Sequence, residues 1–148
     1  MSRFPFSRLL DMAKDDEEKA ARAMQEARQR LTQSEQQLAM LQQYRQDYQD
    51  RLHNTQQQGM SVNQWRDYQL FMSKLDVAIE QQQNDIARCQ QLVTASQQAW
   101  MQKRQKVQAF DTLQVRHQQA ELKKESKQEQ KLIDEFAGRV SHHKIPKE

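Results

Sequence analysis

Glycine and proline are nearly missing from this chain, with two of each among 148 residues. Between Phe6 and Gly138 there is no proline, and Gly59 is the one glycine. These residues break helices most strongly, so their scarcity excludes a fold of many short elements joined by turns. Cysteine occurs once, as Cys89, so no disulfide can close within the chain, and a reducing compartment is expected. No stretch approaches the roughly 18 consecutive apolar residues that a membrane span needs. The segment Met1 to Asp11 also lacks the apolar core of a secretory signal. The chain is therefore expected in the cytoplasm, without direct membrane insertion. Apolar residues make up only 36% and mean hydropathy is −1.14, too little material for a multilayer core. A narrow seam between two helices needs far less.

Charge of one dominant sign is missing as well. The net charge of +3 comes from 23 basic and 20 acidic residues that interleave along the chain. There is no dense basic stripe with stacking aromatics, so nucleic acid is not expected as a partner.

What is present is a helical repeat on both sides of Gly59. The first ladder, at alternating spacings of four and three, runs Phe6, Leu10, Ala13, Glu17, Ala20, Met24, Ala27, Leu31, Ser34, Leu38, Leu41, Arg45, Tyr48 and Leu52. Roughly eleven of its fourteen positions are apolar, the pattern of a two-stranded coiled-coil seam. A second ladder runs Trp65, Tyr68, Met72, Leu75, Ile79, Gln82, Ile86, Cys89, Val93, Ser96, Trp100, Lys103, Val107 and Phe110. Its polar members, Gln82, Ser96 and Lys103, suit register-fixing seam positions. Between the ladders, Gly59 fits the left-handed residue that ends a helix, and Ser61 with Gln64 has capping-box spacing. So short a connection makes the two helices antiparallel neighbours.

The expected architecture is all-α: one coiled-coil hairpin with a first helix over about 5–56, a turn at 57–61 and a longer second helix over about 62–138. At 1.5 Å per residue the arms would span roughly 75 and 115 Å, so the second overhangs past about residue 113. It carries an apolar cluster, Leu132, Ile133, Phe136 and Val140, before a flexible tail at about 139–148. A charged, unpartnered helix of this kind suits either a frayed, solvated tail or a segment that orders on docking to a partner, and its apolar end favours docking.

Catalytic chemistry finds no footing. Two glycines cannot build a phosphate loop. The histidines, His53, His117, His142 and His143, lack the helical spacing of a metal pair with a third ligand. A coiled coil offers no water-excluding pocket. No enzyme activity, metal or cofactor is expected.

The seam does not absorb every large apolar residue. Near the turn, Gln37, Leu41, Tyr44 and Tyr48 form a stripe rotated to one side of it, and Phe71, Leu75, Ala78 and Gln82 do the same on the facing arm. Two helices cannot bury both flanks of their own seam. Tyr44 and Phe71 are thus expected to be partly exposed, giving either a broadened core or a binding patch.

Several segments are similar to the flagellar export protein FliJ family. They are Phe4-Pro-Phe-Ser-Arg-Leu-Leu-Asp11, Asp15-Asp-Glu-Glu-Lys-Ala-Ala-Arg22 and Gln37-Leu-Ala-Met-Leu-Gln-Gln-Tyr-Arg-Gln-Asp-Tyr48. The most distinctive is Gly59-Met-Ser-Val-Asn-Gln-Trp-Arg-Asp-Tyr-Gln-Leu-Phe71, with Leu75, Ala78-Ile-Glu80, Trp100-Met-Gln-Lys-Arg104 and Asp134-Glu-Phe-Ala137 beyond it. The resemblance implies an antiparallel coiled coil in the flagellar type III export apparatus, similar in fold to the central stalk of rotary ATP synthases. It implies a monomer that promotes ring assembly of the export ATPase FliI and links it to the membrane export gate FlhA. It further implies contact with the ATPase regulator FliH, escort of substrate chaperones, and peripheral association with the cytoplasmic membrane face at the flagellar basal body. The family's gate-contacting surface maps onto Gln37, Leu41, Tyr44, Tyr48, Phe71, Leu75, Ala78 and Gln82, where Gln82 departs from the family's histidine. By stalk analogy, the ATPase contact maps onto Phe4, Phe6, Leu9, Leu10, Leu132, Ile133 and Phe136. Rival readings are a substrate-specific export chaperone and a structural coiled-coil scaffold that dimerises through the overhang.

Overall fold

The computed structural model describes residues 3–144, with side chains through 141. It holds two helices and no strand among those residues: α1, Ser7–Gln58, and α2, Val62–Lys144. They pack against each other as a hairpin whose second helix is the longer, 83 residues against 52. Helix α1 opens just after Pro5, where a missing N–H costs nothing, and Ser7 N–H donates to the Phe4 carbonyl at 3.2 Å.

The turn follows from three residues. Gly59 takes φ of 102°, a conformation that a side chain disfavours. Its N–H donates to the Gln56 carbonyl at 3.3 Å, holding the last turn of α1. Ser61 and Gln64 then satisfy each other's backbone: Ser61 N–H donates to Gln64 Oε1, and Gln64 N–H to Ser61 Oγ, both at 3.1 Å. This reciprocal box supplies partners for two donors that a helix start otherwise leaves open.

Packing divides the chain into two units, Glu18–Met101 on one side and, on the other, the residues up to Glu17 with those from Gln102 onward. In the first unit the buried side chains are ladder members: Ala27, Ser34, Leu52, Met72 and Leu75. Alanine and serine at such positions let the two backbones approach closely. In the second unit Leu10, Ala13 and Val107 form the core, with Phe110 packed against them. Pairing there reaches His117, whose ring lies 5.7 Å from that of Phe4. That is one turn beyond the point where the sequence pattern placed the end of pairing, because Phe4 precedes α1 and reaches along α2.

Three ladder members are not buried in the seam. Phe6, Trp65 and Lys103 are exposed. Trp65 sits in the first turn of α2, where the facing arm is ending, while Phe6, just before α1, lays one side on Phe110 and leaves the rest in water. Lys103 keeps its ammonium in water, as a long cationic side chain does.

A second difference concerns Gly138. The sequence pattern ends the helix there, yet α2 continues to Lys144. A single glycine in a helix costs only about 1 kcal/mol against alanine, and helix formers Ala137 and Arg139 flank it. Of the expected flexible tail, residues 139–144 are therefore helical, while 145–148 lie outside the described residues.

Candidate protein-binding surfaces

Helical spacing assembles an aromatic cluster near the turn. Helix α1 sets Tyr44 and Tyr48 one turn apart, and α2 sets Tyr68 and Phe71 three residues apart, so each pair shares a face. Across the hairpin the Tyr48 ring centroid lies 4.4 Å from Phe71 and 4.9 Å from Tyr68. Tyr44 completes the group, 6.0 Å from Phe71 in an edge-on arrangement and 6.5 Å from Tyr48. Such tilted and edge-on contacts are the geometry aromatic quadrupoles prefer.

Tyr48 is half-buried at the centre of this group. Burial pushes its phenol above the ordinary tyrosine value, and Tyr68, Tyr44 and Asp67 push the same way against a smaller opposing pull from Arg51. Tyr44 remains 49% exposed, so the cluster is a core on one side and a surface on the other. Beside it, Arg45 Nε donates to Asp76 Oδ1 at 2.6 Å, a bond that holds the guanidinium above its ordinary pKa.

The remaining residues of the sequence-derived patch divide. Gln37 is exposed, while Leu41, Ala78 and Gln82 are half-buried. Leu75, only 6% exposed, is turned into the seam and presents almost nothing to a partner. Gln82 turns inward too, and its amide donates to Ser34. Gln37, Leu41 and Gln82 line a shallow groove of about 290 Å³ with Met40. Met40 is 72% exposed and is a surface member that the ladder reading passed over. Its spacing of three from Gln37 was the available signal. Tyr68 falls on the seam ladder, and its spacing of three before Phe71 is the signal that also sets it in the cluster.

The other proposed set is not brought together. Phe4 and Leu10 are buried against α2, whereas Phe6 and Leu9 are exposed. Phe4 and Phe6 stack edge-on at 5.7 Å, and Phe6 lies 6.4 Å from Phe110. Leu132, Ile133 and Phe136 lie on α2 well past His117, at 65%, 61% and 69% exposure. Ile133 is about 24 Å farther along the helix than His117, at 1.5 Å per residue.

Among the described residues no group of three His, Cys, Asp or Glu side chains could hold a metal ion. Among the same residues no helix is long and apolar enough to cross a membrane.

The family model for the flagellar FliJ protein matches residues 1–145. Flagellar FliJ proteins of Salmonella typhi and Escherichia coli K12 are each 37% identical over 136 residues, covering 92% of both chains. The FliJ protein of Buchnera aphidicola is 34% identical over 64 residues, 43% of this chain and 44% of its own. Among solved structures, a Chlamydia trachomatis protein, CT670, described as a YscO homologue, superposes with a TM-score of 0.54. That match spans 97% of this chain and 96% of the other at 17% identity, so it supports the hairpin fold alone. With a matching family model over nearly its whole length and two relatives that match over 92% of both chains, this chain belongs to the flagellar FliJ family and is a component of flagellar protein export.

Proposed function

We propose that this chain is a non-enzymatic adaptor that joins the export ATPase FliI, in its ring form, to the export gate FlhA. The observation that carries the reading is the half-exposed aromatic cluster of Tyr44, Tyr48, Tyr68 and Phe71. Rigid aromatic rings, ordered by their neighbours yet open on one side, are the residue type that dominates protein interfaces. On this reading the gate docks over Tyr44 and Phe71, with Gln37, Met40 and Leu41 at the rim.

A second contact, to the ATPase, uses the exposed Leu132, Ile133 and Phe136 of α2, while Phe6 and Leu9, beside Phe110 about 35 Å back along the helix, form a separate exposed patch for it. Ring assembly follows if these residues bind neighbouring ATPase subunits better in the ring than apart, since binding shifts an equilibrium only through differential affinity. The regulator FliH and empty substrate chaperones join the same assembly, which places this monomer at the cytoplasmic face of the membrane.

The test is direct. Tyr44→Ala combined with Phe71→Ala should keep the helical content by circular dichroism, lose capture of the gate's cytoplasmic domain and abolish motility. Unchanged capture and motility would rule the surface out. Separately, ATPase rate and ring formation are measured with and without this chain; an unaffected ATPase would leave it a chaperone or scaffold.

A further inference from the structure

Midway along the seam of the Glu18–Met101 unit, an apolar ladder gives way to a polar lock. Ser34 is buried, and its hydroxyl donates to Asp85 Oδ2 at 2.6 Å. The Gln82 amide donates to that hydroxyl at 2.8 Å and to the Ser34 carbonyl at 3.0 Å. Cys89 directs its thiol at the same Asp85 oxygen, 3.8 Å away. No buried side-chain nitrogen or oxygen is left without a partner among the described residues. We infer that Ser34, Gln82 and Asp85 are positioning residues: they select one heptad register of the hairpin and thereby assemble the aromatic face.

Leucine, isoleucine and methionine pack against one another almost as well after a slip of seven residues as before it, so the apolar ladder specifies register weakly. The tight turn at Gly59 helps only in part, because Gln56 to Gln58 can unwind to absorb a slip. The lock discriminates. A one-heptad slip carries Gln82 to the gap between Leu41 and Arg45, or in the other direction between Ala27 and Leu31. It carries Ser34 to Cys89 and Val93, or to Leu75 and Ile79. Neither slip gives the Gln82 N–H a side-chain acceptor, since Ala27, Leu31 and Leu41 have none and Arg45 only donates, and both leave the Ser34 hydroxyl without its amide and carboxylate partners, which disfavours the shifted pairing by about ten- to a hundredfold.

The consequence falls on the cluster in the same unit. Tyr48 lies against Tyr68 and Phe71 only in the observed register. A slip would set it beside Leu75 and Ala78 or carry it into the turn. Gln82 therefore acts on the docking surface by holding the arms in step. That consequence rests on the aromatic face being a docking surface; the register itself does not, and it is measured without any partner.

The experiment uses the full chain with Cys89→Ala as background and pairs of engineered cysteines on the ladders. Leu31→Cys with Ile86→Cys reports the observed register, and Leu31→Cys with Ile79→Cys or Val93→Cys reports the two slips. With Ser34 and Gln82 intact, only the first pair should oxidise. Adding Ser34→Ala and Gln82→Met, which keeps the seam apolar and the hairpin folded, should raise the slipped cross-links about tenfold while the melting temperature holds or rises. A fall in melting temperature with a single surviving register would show ordinary structural bonding and overturn the inference. So would cross-links unchanged in every pair. Gln82→Glu serves as a control, since its carboxylate cannot donate to Ser34 and should loosen the register in the same sense.

Discussion

The rings of Tyr48 and Phe71 meet across the hairpin with centroids 4.4 Å apart and planes inclined at 42°. This contact joins the two roles of the aromatic group, since Tyr48 is held inside by it while Phe71 passes the support on to Tyr44. Aromatic pairs of this kind contribute about 0.5–1.5 kcal/mol beyond their buried area. Tyr48→Ala should therefore destabilise the hairpin more than Tyr44→Ala does. A double-mutant cycle of Tyr48→Ala and Phe71→Ala should return a coupling of about 1 kcal/mol in urea unfolding. A coupling near zero would mean that the rings merely adjoin.

The same burial gives the hairpin an alkaline limit. The Tyr48 phenol sits above its ordinary value chiefly because ionising it would place charge in a desolvated site. Its folded-state pKa is thus higher than in the unfolded chain. The resulting stability is fully present below the ordinary tyrosine value of about 10 and is lost as pH rises through the folded value. Urea midpoints should hold steady from neutral pH to about 9 and fall above about 10. Tyr48→Phe should flatten that fall, and an equally steep fall in Tyr48→Phe would assign it to other groups.

Arg45 occupies a ladder position but holds its charge at the edge, bonded to Asp76 at 2.6 Å. Both side chains are substantially solvated, at 35% and 55% exposure, so their bond contributes little, about 1 kcal/mol or less. Arg45→Leu replaces it with apolar packing at a seam position and leaves Asp76 free to hydrate. The expected outcome is a melting temperature that is unchanged or higher, with an apparent gain of about 1 kcal/mol at most. A loss of several kcal/mol would show that the pair carries far more than its exposure suggests.

The two glycines have opposite roles, and a substitution at each separates them. Neither would bring an added Cβ within 4 Å of another group, so backbone conformation alone decides. At Gly59, φ of 102° makes Gly59→Ala destabilising by about 1–2 kcal/mol. At Gly138, inside α2, Gly138→Ala should instead raise helicity, by about 1 kcal/mol in local stability. Thermal melts followed by circular dichroism at 222 nm would show the two signs.

That contrast also shows what the sequence could convey. Gly59 was legible because its neighbours Ser61 and Gln64 supply a capping box and apolar ladders resume on either side. Gly138 has no such box behind it, and a glycine alone states permission to turn without requiring it. Periodicity located the seam and the flanking aromatic stripe, since Tyr44 and Phe71 follow from spacing. It placed Leu75 and Gln82 in the seam ladder and in the flanking stripe alike; the seam membership holds, whereas their share of the exposed face depends on how much room the partner arm leaves at the border of the two stripes. It could not show that Gln82 would find Ser34, a match between distant positions that only the register of the hairpin creates.

The overhang supplies the last test. Leu132, Ile133 and Phe136 are each more than half exposed, so they contribute little to the folded hairpin. Leu132→Gln, Ile133→Gln and Phe136→Gln together should shift its melting temperature by no more than an ordinary surface change does, about 0.5 kcal/mol per site. Glutamine keeps good helix propensity, so α2 should stay helical. If these side chains form the ATPase contact, the triple variant should lose stimulation of ATP hydrolysis and ring formation while still capturing the gate's cytoplasmic domain through Tyr44 and Phe71. A variant that keeps full stimulation would move the ATPase contact away from this segment. One that loses both partners would show that the two surfaces do not act independently.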